Sequence, residues 1–327
     1  MTRDPRYLIH SLCVMAFATG ALADEALRAD AARLFGRLEM PASIDGPEVE
    51  LGRALFWDAR LSIDGKTACA SCHMPEDWGA DRRKFSIDAK GKATSRHSPT
   101  VFNSMGQPGL RWLSDRKTGA DQAEGSITGS MGFETKQAGM KRAGELEYEA
   151  AFRKAYPQDP EPMSAANYGR ALQAYQATLV TPAPFDRFLA GDSGALTERQ
   201  KAGLRTFMTT GCAACHNGTL LGGSTLMKFG LARDYWLETG SDKPDVGRYA
   251  STRKDEDKYV FRVPMLRNVA KTAPYFHDGS VDTLTGAVRV MGAVQLARAL
   301  DDATVESIVA FLESLTGEVP ANYAPPR

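Results

Sequence analysis

The sequence carries no excess of either charge: 40 Lys and Arg stand against 40 Asp and Glu in 327 residues. A nucleic-acid binder needs a basic face or stripe, so that class is excluded. Cysteine is scarce, with five in the chain. No hydrophobic run of membrane-spanning length follows the first 23 residues. No stretch alternates apolar and polar side chains convincingly enough to promise a sheet. What remains has 43% hydrophobic and 24% charged residues, ordinary for a protein with a packed core, and is long enough for about two domains.

The beginning is different. Arg3 and Arg6 precede an apolar run over 8–23 that closes on Ala21-Leu22-Ala23. A basic start, a short apolar centre and small residues at a cut make a secretory signal peptide, with cleavage expected after Ala23. The run is short for a membrane span and is interrupted by His10 and Gly20. Its loss removes Arg3, Arg6 and Asp4, leaves the charge near balance, and predicts a soluble periplasmic protein with no membrane span.

Cys13 would leave with that leader. The other four cysteines fall into two copies of one pattern, Cys69-Ala-Ser-Cys72-His73 and Cys212-Ala-Ala-Cys215-His216, so no thiol is left for a structural disulfide. A thioredoxin-type pair also uses C-x-x-C, but needs no following His and expects a βαβ setting. A zinc site could use four cysteines, but these pairs stand about 140 residues apart, beyond finger spacings. C-x-x-C-H is the signature of covalent haem attachment. Two thioether bonds pin the vinyl edge of the macrocycle, and the next His reaches the iron from one face. The sequence therefore predicts two c-type haems, with His73 and His216 as proximal ligands.

Helical periodicity dominates the remainder. A helix is expected over Val49–Trp57 before the first motif and over Leu196–Met208, with Thr197 as N-cap, before the second. Further helices fit Ala143–Tyr156, stopped by Pro157, and Ala165–Val180, with Tyr168, Leu172, Tyr175 and Leu179 on one face. The last helix begins near Asp301, with Asp302 able to cap it, Val305, Ile308, Val309, Leu312 and Leu315 as its stripe and Gly317 as its stop. Gly191–Gly194 reads as a linker and 251–258 as a solvated charged loop. The domains would be 1–23 signal peptide, 24–190 N-terminal haem domain and 191–327 C-terminal haem domain.

From about Leu51 to Gly317 the sequence resembles the bacterial dihaem cytochrome c peroxidase family, whose relatives include MauG-type enzymes. The resemblance is carried by the two haem motifs, by 181–189 (TPAPFDRFL), by 259–279 (YVFRVPMLRNVAKTAPYFHDG) and by 290–296 (VMGAVQL). It implies a mainly α fold of two cytochrome c-like domains with the haems near their interface. The C-terminal haem would be the high-potential site that receives electrons, and the N-terminal haem the place where peroxide is reduced.

By position alone Met291, Met227 and Met265 compete as sixth ligand of the second haem, each equally readable as core filler. The resemblance selects Met291, and His/Met ligation raises the potential. MauG-type members carry Tyr there, so Met291 favours the peroxidase branch. The family's distal His falls in a segment like Ser-Ile-Gly-His, whereas this chain reads Ser86-Ile-Asp-Ala89. The resemblance thus implies a first haem open to peroxide without reductive activation. His97, where the family has Asn, is expected to bond locally. Gln122 matches the family's Gln. Glu134, about two residues late, is the nearest carboxylate able to move the peroxide proton. Trp112 matches the Trp between the haems, and Arg116 an Arg beyond it. The family's Ca2+ would use the Thr272 and Pro274 carbonyls, but His97 replaces its Asn oxygen, and Ca2+ takes oxygen ligands. His277 is expected to be structural or to touch a propionate.

The leading expectation is a dihaem peroxidase that reduces hydrogen peroxide with electrons from a small cytochrome c or cupredoxin. The second is a MauG-like enzyme that oxidises Trp or Tyr of a partner protein. The third is a dihaem electron carrier without catalysis. A homodimer is compatible with all three.

Overall fold

The computed structural model describes residues 22–41 and 43–326. The signal-peptide reading therefore falls mostly outside the described residues. Among those described, no helix is long and apolar enough to cross a membrane.

The chain is mainly helical, as expected. After helical residues 22–34 (α1) come α2 (Pro47–Trp57), α3 (Gly119–Ser126), α4 (Lys136–Glu145), α5 (Glu149–Ala155), α6 (Ala165–Ala177) and α7 (Pro184–Leu189). Then follow α8 (Glu198–Thr210), α9 (Tyr235–Thr239), α10 (Tyr249–Thr252), α11 (Leu284–Leu296) and α12 (Asp302–Glu313). The described strands are β1 (Leu226–Lys228) and β2 (Val260–Arg262), an antiparallel pair with Met227 opposite Phe261.

Two helix crossings organise the cores, α2 on α6 and α8 on α12. Each crosses at a glycine that lets backbones touch. A Cβ on Gly52 would lie 1.9 Å from the Ala171 carbonyl oxygen, and one on Gly203 would lie 2.1 Å from that of Ser307. Around the first crossing pack Leu55, Phe56, Leu172, Tyr175 and Phe152; around the second, Leu204, Phe207, Ile308 and Phe311. Core membership departs from chain order at both ends. Leu27, Ala31 and Phe35 pack into the second core with Phe185 and Phe188, whereas Tyr323 packs into the first.

Local chemistry explains most boundaries. Thr197 and Gln200 form a reciprocal capping box at α8. Ser164 caps α6 through the Asn167 N–H, and Tyr168, Leu172, Tyr175 and Leu179 are all buried. That helix ends at Ala177, three residues before the expected Val180. The expected helix over Ala143–Tyr156 is two helices. Glu147 turns left-handed at φ 63°, and the Tyr148 N–H returns to the Ala143 carbonyl, closing α4. Tyr148 then donates its hydroxyl to Asp58, a tertiary contact that periodicity does not reveal. Asp301, rather than Asp302, caps α12 by accepting from the Thr304 N–H at 2.8 Å. The helix ends at Glu313, before Gly317. Gly317 serves a close approach instead: a Cβ there would sit 2.4 Å from the Thr181 carbonyl oxygen. The 251–258 segment is mostly exposed, with a short turn of helix at either end.

A buried polar knot joins the halves. The Thr181 hydroxyl accepts from the Asn103 and Asn268 amides, Asn103 Oδ1 accepts from the Thr181 N–H, and Asn268 Oδ1 accepts from the Gly317 N–H. Each of these side-chain nitrogens and oxygens has at least one partner, as such burial requires. Arg267, 1% exposed, adds a two-pronged ion pair to Asp186 at 2.6 and 2.9 Å.

Candidate haem sites

The two Cys-x-x-Cys-His segments fold alike. Each begins as one turn of 3-10 helix, Cys69–Ser71 and Cys212–Ala214. The second cysteine's N–H bonds the first cysteine's carbonyl, at 3.2 and 3.3 Å, and so does the histidine N–H, at 3.1 and 3.0 Å. None of these four cysteines is in a disulfide. Burial pushes the Cys69 thiol up to about 12 and Cys212 up to about 11. Among the described residues no group of three or more His, Cys, Asp or Glu converges on a metal site.

The histidines are oriented in the same way. His73 Nδ1 lies 2.9 Å from the Gly79 carbonyl oxygen and His216 Nδ1 3.2 Å from that of Leu221. A carbonyl accepts only, so Nδ1 carries the proton and Nε2 keeps a lone pair for a metal. Burial lowers both rings' proton affinity, His216 to about 4, which keeps that lone pair unprotonated. Left-handed glycines make the approach. Gly79 has φ 71°, and Gly222 has φ 125° with space for a Cβ only 3.2 Å from His216 Nδ1. Paired neighbouring thiols and a histidine with one free nitrogen fit a covalently held haem at both motifs.

The surroundings differ. Cys212, Cys215 and His216 line a cavity of about 220 Å³ with a strongly apolar wall. One face of α11 supplies Leu284, Ala287, Val288, Met291 and Gln295, a repeat of three and four that places Met291 mid-stripe. Met227 on β1 and Met265 beyond β2 line it too, so all three sequence candidates converge there. Arg262 was not singled out from the sequence. It is 5% exposed, donates to the Arg111 carbonyl and Gln107 amide oxygens, and has no carboxylate partner among the described ion pairs. Burial without a counter-charge lowers its guanidinium to about 10. The signal was a lone arginine in the apolar run Val260-Phe-Arg-Val263. An unpaired buried cation suits the carboxylate of a haem propionate.

Trp112 also lines this cavity. Its Nε1–H donates to the His97 carbonyl at 2.8 Å, and its ring meets His277 edge-on at 6.2 Å. His97 is 4% exposed and holds its ring nitrogen 3.2 Å from the Arg83 carbonyl, the local role expected of it. His277, 2% exposed, stacks on Phe261 at 4.2 Å and faces the Tyr235 hydroxyl at 3.4 Å. Thr272 and Pro274 border the cavity beside His97.

Cys69 and Ala70 of the first motif pack against the first core, and a polar group lies on its other flank, where Arg83 donates to the Ser71 carbonyl. Ser86 bonds the fully buried Asp81, which is itself forked by Arg83. Ala89 is buried and donates its N–H to Ser130, and a Cβ on Gly132 would lie 3.4 Å from that of Ala89. Gln122, in the capped helix α3, has a buried Oε1 without a hydrogen-bond partner. Arg116 packs against the same helix at Gly125 and bonds Asp121 at 3.1 Å. Glu134 is exposed, immediately before the Thr135 cap of α4.

Comparison with known proteins agrees with this geometry. A family model described as di-haem cytochrome c peroxidase matches residues 47–194. The cytochrome c551 peroxidase of Pseudomonas aeruginosa is 42% identical, over 94% of this chain and 91% of its own. The methylamine utilization protein MauG of Methylophilus methylotrophus is 30% identical, covering 85% and 86%. A crystal structure of a MauG-like protein associated with microbial copper homeostasis superposes with a TM-score of 0.77 at 26% identity, covering 89% and 96%.

Proposed function

We propose, from the premise that this chain belongs to the di-haem cytochrome c peroxidase family, that it reduces hydrogen peroxide to water with electrons from a small cytochrome c or cupredoxin. Haem held at both motifs would supply the electron-transfer and peroxide-reducing chemistry. The observation that carries the reading is the pair of matched turns, each presenting a histidine whose Nδ1 is tied to a carbonyl.

The residues take distinct parts. His73 and His216 hold the proximal faces. Met291, supported by its place in the α11 stripe, would be a further ligand at the second site, and Arg262 would neutralise a propionate there. Trp112 links the two halves for electron passage. Gln122 holds peroxide with its free amide oxygen, and Glu134 moves the proton between the peroxide oxygens. Thr272 and Pro274 are the candidate Ca2+ ligands, but His97 brings nitrogen where that ion takes oxygen. The leader, with its cut after Ala23, and haem attachment outside the cytoplasm support a periplasmic location. The domains are taken as 24–190 and 191–327.

Steady-state peroxide consumption with reduced cytochrome c tests this reading; saturating donor without turnover rejects it. A MauG-like oxidation of a partner's Trp or Tyr is favoured by one observation, Ala89 in place of a distal His. Mass spectrometry of a co-expressed partner separates the two, because the peroxidase leaves its partner's mass unchanged.

A further inference from the structure

The proximal side of the first motif carries a chain of oxidisable rings that the route through Trp112 does not use. The Tyr323 hydroxyl donates to the backbone carbonyl of His73 itself. The Tyr323 ring lies 5.3 Å from Trp57 and 5.7 Å from Phe56, and Phe56 lies 6.5 Å from the His73 ring. The Trp57 Nε1–H donates to the Tyr175 hydroxyl at 3.1 Å, and Tyr175 donates onward to the Asn322 carbonyl at 3.0 Å. Tyr323 is 4% exposed, whereas Trp57 is half-buried and reaches solvent. The rings therefore lead outward from the haem-ligating histidine to the protein surface.

We propose that Trp57 is a second redox terminus of the first site: it gives up electrons to that site through Tyr323 and is refilled at the surface by a small reductant. The inference rests on the peroxidase reading, which supplies peroxide as the oxidant. Tyr323 is a tunnelling bridge that is not itself oxidised: its hydroxyl bond to the His73 carbonyl couples the two residues. A tyrosine that loses an electron must shed its proton, and its hydroxyl faces a carbonyl, which is no base; burial also pushes the phenol well above its usual range. An indole cation keeps its N–H, and the Tyr175 oxygen accepts that hydrogen bond. Trp78 is also close to His73 in sequence, but the Lys271 ammonium sits 5.1 Å over its ring. A cation on the ring face opposes a second positive charge there.

With donor present, Trp57 cycles and nothing accumulates. Without donor, the balance closes on Trp57 itself. The indole loses two electrons and two protons and takes one oxygen atom from water. Peroxide takes those two electrons and two protons and leaves as two waters. The net change is Trp plus hydrogen peroxide giving hydroxytryptophan plus water.

The test uses the full-length holoprotein, exposed to stoichiometric hydrogen peroxide without donor, followed by peptide mass spectrometry. Trp57 should gain one oxygen ahead of Trp78 and of Trp236, which is also half-buried but packs beside Tyr235 in the other half. Ascorbate added with the peroxide should abolish the label. Tyr323→Phe keeps the ring and removes the hydroxyl; it should lower the Trp57 label per peroxide consumed. Equal labelling of Trp57 and Trp236, an unlabelled Trp57 in protein that consumes peroxide, or an unchanged label per peroxide in Tyr323→Phe would each overturn the inference. Peroxide left intact would instead remove the peroxidase reading, and the inference with it.

Discussion

The two halves use one five-residue turn for two opposite ends. Around His216 the chain builds an apolar cavity with three thioethers and a buried arginine. In the half that carries His73, Ala89 and Gly132 lie against each other, and Gln122 keeps a buried oxygen without a partner. Both turns present paired thiols and a histidine tied through Nδ1; the enclosure around each is what differs. An unpaired buried amide oxygen costs about 1–3 kcal/mol, so a protein keeps one where a ligand will satisfy it.

The comparison breaks most completely at the histidines. His73→Ala should reduce peroxide turnover to background while leaving the Met291-site haem reducible by donor; loss of both together would show the sites to be one unit. Stopped-flow reduction separates these outcomes.

Met291→Leu should turn the second haem from low-spin to high-spin and lower its potential, while Met227→Leu and Met265→Leu leave both unchanged. EPR of the ferric protein reads this directly, and the parent should show one high-spin and one low-spin haem. Two low-spin signals would favour a plain electron carrier.

Gln122→Leu sets stability against function. Removing the orphan oxygen should raise stability by about 1 kcal/mol in thermal unfolding, while turnover falls by roughly 10²-fold if that oxygen positions peroxide. Glu134→Gln should lower kcat with little change in stability, because its side chain is exposed.

The two crossings should fail alike. Gly52→Ala and Gly203→Ala each place a Cβ about 2 Å from a facing carbonyl, and each should cost about 1–3 kcal/mol by chemical denaturation. A large loss in one alone would mean that only one crossing is rigid.

The smallest effect concerns pH. Burial alone would raise the Asp245 carboxyl, but the Arg96 fork at 2.6 and 2.8 Å outweighs it and holds the carboxyl below its usual range. Its stabilisation is present above the unfolded carboxylate value near pH 4 and is lost as pH falls through the depressed folded value. Arg96→Met should therefore lower Tm at pH 7 and make little difference at pH 2.

Much of this was legible beforehand. The haem motifs, the α2 and α8 helices that precede them, and the buried stripes of α6 and α12 follow from spacing alone, because periodicity and capping are local. The break at Glu147 was hidden, since it depends on Tyr148 reaching Asp58 across the fold. Arg262 was partly hidden: its apolar neighbours in sequence hint at burial, but only the fold shows that no carboxylate among the described residues pairs with it.

The sequence by itself determined the two matched Cys-x-x-Cys-His turns, because a five-residue turn is set by local sterics and hydrogen bonds. Tertiary structure alone decided which thioethers line the cavity with His216, where Gln122 leaves its oxygen, and that the two ends of the chain pack into each other's half. Those are contacts between residues far apart in sequence, and they exist only once the helix crossings have closed and excluded water.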